Sequence, residues 1–145
     1  MAASKREQVV TAVKALIAAA LPMAEVTRNP AKAERIAPGG SVIVRDGDPG
    51  EPEVDLSPLT YNYTHRIPLE IAAYESASKS REEVLDDLLT RIGAAVAANR
   101  TLGGLCQFLE AEAPNSDDLD AAGALAGRWA EAVIVASYAA SSPLN

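Results

Sequence analysis

Apolar residues recur at helical spacing in two stretches of the chain. Val9, Val10, Val13, Leu16, Ile17 and Leu21 form one stripe, and Val84, Leu85, Leu88, Leu89, Ile92 and Val96 form the other. Each stripe follows a serine with a glutamate three residues on, Ser4 with Glu7 and Ser80 with Glu83. That pair satisfies the orphan N–H groups of a helix start, so helices are predicted to begin at both places. Pro22 stops the first. The second ends at Asn99-Arg100, ahead of Gly103 and Gly104, which allow a backbone turn that other residues resist.

A period of two replaces the helical period between them. Tyr61, Tyr63, His65, Ile67, Leu69 and Ile71 alternate with Asn62, Thr64, Arg66, Pro68 and Glu70, which predicts a strand with one buried face. Pro68 has no N–H to donate, so this strand is expected at a sheet edge or with a bulge. Met23–Arg28, Ser41–Arg45 and Leu105–Ala113 are shorter strand candidates. Asn29–Gly40 reads as a loop, Asp46–Glu53 as a turn-rich acidic segment, and Pro114–Asp120 as a polar turn. The stretch Asp46–Pro58 is long for a hairpin connection. Trp129–Tyr138 fits two patterns. Ala130, Ala132, Ile134, Ala136 and Tyr138 alternate as in a strand, whereas Leu125, Trp129, Val133 and Ala136 lie on one helical face. The predicted architecture is α+β: one domain over residues 1–145, a mostly antiparallel sheet with both main helices on one face, and a closing hairpin.

Composition narrows the function. At 145 residues and 48% hydrophobic, the chain has enough apolar material for one buried core, and with 4% aromatics that core is aliphatic. The net charge of −7 argues against a surface that neutralises phosphates. Cys106 is the only cysteine, so it forms no internal disulfide, and a reducing compartment is expected. No apolar signal region follows the start and no apolar run reaches membrane-spanning length, so synthesis in the cytoplasm without membrane insertion is expected.

Few residues carry candidate chemistry. Any nucleophilic mechanism needing an imidazole must use His65, the only histidine, yet it falls on the apolar phase of its strand, where a core or interface histidine is expected. Cys106 reads as a small buried hydrophobe unless His65 lies beside it to activate the thiol. Asp46-Gly47-Asp48-Pro49-Gly50-Glu51 suggests a calcium loop but fails the template, with Gly50 and Glu51 at its fifth and sixth positions and Ser57 in place of the bidentate glutamate. Gly39-Gly40 and Gly103-Gly104 lack the spacing of a phosphate cradle. Glu82, Glu83, Asp86 and Asp87 complement a helix dipole. No metal or cofactor is therefore expected. The charge distribution is more suggestive. Lys5, Arg6, Lys14, Arg28, Lys32, Arg35 and Arg45 fall in the first third of the chain, and most acids follow. Such asymmetry can draw a second copy in head to tail.

The run Arg100-Thr101-Leu102-Gly103-Gly104-Leu105 at the end of a helix, the aromatic strand Tyr61–Ile71 before it, and the Trp129–Tyr138 segment near the end resemble the tail-terminator, or minor tail protein U-like, group of long-tailed phages, prophages and gene transfer agents. The resemblance implies a strand over about residues 128–138. It also implies a non-enzymatic virion protein without cofactor: a ring, usually hexameric, that caps the tail tube, stops its polymerisation and presents a surface to the head-side connector. The implied partners are further copies of the chain, the tube protein and a head-completion protein, with DNA only in transit through the lumen. The implied location is the host cytoplasm during assembly and then the tail–neck junction. Candidate contacts to neighbours or tube are Arg28, Lys32, Arg35, Arg45, Asp46, Asp48, Glu51 and Glu53. Other neck or tail-completion adaptors share this size, charge and layout, and a small acyl transferase using Cys106 or His65 is the enzymatic alternative.

Overall fold

The computed structural model describes residues 3–30, 37–119 and 127–145. In chain order they form α1 (Lys5–Ala20), β1 (Glu25–Arg28), β2 (Ser41–Val44), β3 (Glu53–Leu56), β4 (Leu59–Ala73), α2 (Arg81–Ala98), a single 3₁₀ turn (Leu102–Gly104), β5 (Phe108–Ala111), β6 (Asn115–Leu119) and β7 (Gly127–Ala140). The fold is α+β, with one sheet running β1-β2-β4-β7-β5, β3 beside β4 and β6 beside β7. Among the described residues only β1 and β2 pair in parallel; every other ladder is antiparallel.

The alternating patterns become a two-strand spine. β4 and β7 pair from Tyr61 opposite Ala140 to Ala73 opposite Arg128. Tyr63, His65, Ile67, Leu69 and Ile71 face Tyr138, Ala136, Ile134, Ala132 and Ala130, and all ten are buried on the same side of the sheet. The alanines of β7 keep that surface low, so both helices rest on β7, with α1 also against β1 and α2 against β4 and β5. Val9, Val10, Val13 and Ile17 from α1 and Leu85, Leu88, Ile92 and Val96 from α2 complete one continuous core. Both predicted serine caps are present, Ser4 accepting from the Glu7 N–H at 3.1 Å and Ser80 from the Glu83 N–H at 3.2 Å.

The strand reading of residues 128–138 holds, because this alternation matches that of β4 position for position. Three other expectations are corrected. First, Pro68 is neither at a sheet edge nor in a bulge: β4 is bonded on both sides. Its carbonyl accepts from the Arg45 N–H at 3.0 Å, just past the end of β2. In an antiparallel ladder the ring nitrogen points the same way, so the missing donor falls where the neighbouring chain swings off through Gly47. Second, Pro114–Asp120 contains β6 rather than only a turn; Asn115–Leu119 is held by the backbone of Gly127–Glu131, a tertiary override of weak propensity, while Asp120 lies outside the described residues. Third, the long acidic stretch ends in a strand of its own, β3, which turns at Ser57-Pro58 into β4 two residues earlier than the alternation suggested. Residues 31–36 of the predicted Asn29–Gly40 loop lie outside the described residues.

At Gly47 (φ 66°) an added Cβ would lie 2.0 Å from the Arg66 carbonyl oxygen, while at Gly50 (φ 73°) it would meet nothing within 4 Å. Gly47→Ala should therefore cost more than about 2 kcal/mol, through displaced backbone, and Gly50→Ala about 1 kcal/mol, through left-handed geometry alone. Urea unfolding of the two variants measures the difference.

Candidate interaction surface

Arg28 lies at the end of β1, where the strand passes beside the start of α1. Its two terminal nitrogens donate to the Glu7 carboxylate at 2.9 and 2.6 Å, and its Nε donates to Asp46 at 2.8 Å. Asn29 (φ 44°) adds a second donor to Asp46 at 2.7 Å and accepts from the Asp46 N–H at 3.2 Å. One guanidinium thus fastens the first helix and the acidic segment to the sheet. Hydrogen bonding to Arg28 holds both the Glu7 and Asp46 carboxyls below the usual carboxylate range, and the Arg28 cation is stabilised in return.

The pinned Asp46 reaches a buried polar pair. Its carbonyl oxygen lies 2.6 Å from His65 Nε2, and the Tyr138 hydroxyl lies 2.9 Å from Nδ1. A carbonyl can only accept, so Nε2 carries the proton and donates, and Nδ1 accepts from Tyr138. The polar atoms of His65 are thus satisfied inside the core, where it is 1% exposed. Burial lowers the His65 pKa below its usual value and pushes the Tyr138 hydroxyl up to about 12.

Six of the eight predicted contact residues lie among the described residues, and they differ in what they bond to. Arg28 and Asp46 are committed to the internal pin, and Arg45 pairs with Glu70 at 2.5 Å on the sheet face opposite the helices. Asp48 accepts from the Gly50 N–H at 2.8 Å, closing a tight turn, and bridges to Arg66 in the backbone. Glu51 and Glu53 are exposed and, among the described residues, without an ion-pair partner. Lys32 and Arg35 lie outside the described residues. The sequence did not single out Glu7 as the partner of Arg28, nor the exposed Arg66–Glu112 pair, with bonds of 2.5 and 2.6 Å. Neither pairing has a local signature, since the partners are joined by sheet topology.

Cys106 is buried beneath the Arg100–Gly104 turn, its thiol 3.6 Å from the Arg100 carbonyl oxygen, and burial pushes the thiol pKa up. Both His65 nitrogens are already engaged, so the imidazole has no free position from which to activate a thiol. The turn itself places Leu102 (φ 48°) into the core and is closed by Asn99 Oδ1, which accepts from the Gly103 N–H at 3.2 Å. No helix among the described residues is long and apolar enough to cross a membrane, and none of their acidic, histidine and cysteine side chains group as metal ligands would.

In comparisons with known proteins, no protein-family model and no curated protein matches the chain.

Removing the pin should be measurable. Arg28→Ala should cost about 1–2 kcal/mol at neutral pH, modest because the carboxylates are half-exposed. The depressed Glu7 and Asp46 pKa values make this stabilisation present above the ordinary carboxylate range and lost as pH falls through it. The gap between variant and wild type should narrow steadily in urea unfolding as pH falls below the ordinary carboxylate range. His65 acts in a separate window. Its lowered pKa means the unfolded chain takes up the proton first, so stability should fall from about pH 6.5 downward. His65→Gln should remove that part of the slope.

Proposed function

We propose that the chain is a structural subunit of a phage-type tail. It forms a homo-oligomeric ring on the head-proximal end of the tail tube, stops tube growth and presents the head-joining surface. The observation that supports this best is the open sheet. Its path has two unlike edges on opposite flanks, β1 and β3 on one and β5 and β6 on the other. Copies set side by side therefore meet through two different surfaces, the heterologous contact that ring closure requires. The resemblance carried by Arg100–Leu105, Tyr61–Ile71 and Trp129–Tyr138 adds the tail station.

The mechanism in this reading is geometric. A ring that matches the tube end covers the surface on which the next tube subunit would add, and modest contacts are multiplied by symmetry. The net charge of −7 suits passage of DNA through the lumen, because like charge discourages sticking. The tube protein and a head-side connector are the partners.

Electron microscopy of particles made without this gene tests the reading. Tails of uncontrolled length are expected. Tails of normal length that stay unjoined to heads would overturn the terminator role in favour of a neck adaptor, and intact infectious particles would overturn both.

A further inference from the structure

Six large apolar side chains are exposed among the described residues: Met23, Val54, Leu56, Leu59, Phe108 and Leu144. Four of them stand at one end of the domain. Val54, Leu56 and Leu59 belong to the β3–β4 hairpin, and Leu144 to the segment that follows β7. Because Tyr61 lies opposite Ala140, the hairpin tip and the residues after Ala140 leave the sheet at the same end. Leu56 and Leu144 are each 82% exposed. A single exposed leucine is ordinary, but a cluster beside polar clefts marks a contact surface.

Unlike charges share this end. The start of α1 reaches it, where Arg6 lines a cleft of about 120 Å³ with Gly50, Tyr63 and Tyr138. Lys5 and Gln8 line a shallow groove of about 310 Å³ with Ala139, Ala140 and Ser141. Lys5 and Arg6 have no ion-pair partner among the described residues, and neither do Glu51 and Glu53 on the approach to the hairpin. Arm and groove, acid and base, are therefore halves of one patch on one chain.

We propose that this end is a self-complementary docking surface for a second copy of the chain. The Leu56–Leu59 tip of each copy enters the groove between α1 and β7 of the other. A two-fold axis through the patch lays each arm on the partner's groove and brings Glu51 and Glu53 toward the partner's Lys5 and Arg6. A foreign partner would need only one half of this set; the presence of both halves side by side selects a second copy. The arm includes β3, at the corner of one sheet flank, whereas β1, β5 and β6 carry none of the surface's named residues.

Sedimentation of the full chain over a range of concentrations tests this, with circular dichroism to confirm that each variant folds. Association in multiples of two is expected. Leu56→Ser combined with Leu59→Ser should weaken it by about tenfold or more per leucine. The decisive variants reverse charge. Lys5→Glu with Arg6→Glu makes one copy acidic in both arm and groove, and Glu51→Lys with Glu53→Lys makes another basic in both. Each alone should stay monomeric at concentrations where wild type pairs, and an equimolar mixture should form the mixed dimer. A wild-type monomer at all concentrations, association indifferent to both leucines, or a mixture that stays apart would overturn the proposal. Six-copy particles insensitive to the leucines would refute the pairing and leave the ring standing. Leucine-dependent dimers that never grow larger would do the reverse.

Discussion

The ladder between β4 and β7 is the interaction on which the rest of the molecule depends. Every other strand except β1 pairs with one of these two, and both helices lie on the face they build. The ladder fixes which side chains are inside. A slip of one residue would turn Ile67, Leu69, Ile71 and Ile134 to the opposite face and bring Arg66, Glu70 and Glu131 into the core. The penalty for burying those charges unpaired makes the register nearly unique.

Electrostatics act on top of this frame by tying on the parts the ladder does not reach. Arg28 joins α1 to the acidic segment, and Asp46 passes that constraint inward through its carbonyl to His65 and Tyr138. The bonds run from exposed carboxylates to a fully buried ring, so the path crosses from solvent-screened contacts to ones in low dielectric. The inner contacts hold their geometry more firmly than the outer ones. Arg28, Arg45 and Arg66 are occupied within the chain, whereas Lys5 and Arg6 at the start of α1 have no ion-pair partner among the described residues.

Much of the fold was legible because two local rules apply without competition. The serine–glutamate caps mark both helix starts, and the strict alternation of Tyr61–Ile71 marks the central strand. Residues 128–138 were ambiguous alone, because alanine and valine fit either period, and only the facing strand decides between them. The sequence was silent where the partner's backbone does the work. Asn115–Leu119 is a strand because β7 offers it bonds, and Pro68 is tolerated inside the sheet because β2 has already ended. The contact residues were legible as a charged set but not as a surface. Pairing partners such as Glu7 and Glu112 lie far off in sequence, and the exposed leucines of the hairpin are unremarkable until topology gathers them with Leu144.

The position of β7 in the chain has a consequence for the order of folding. Of the described strands, the one that pairs along the length of β4 comes last in chain order, since the partners of Tyr61–Ala73 are residues 128–140. Until those residues emerge, β4 has an open edge and both helices lack most of their floor. The loop that must close between Ala73 and Arg128 spans α2 and both short edge strands, so the central ladder carries a large loop-closure entropy. Sheet edges and hairpin therefore reach their final arrangement only after nearly all of the described residues have been made.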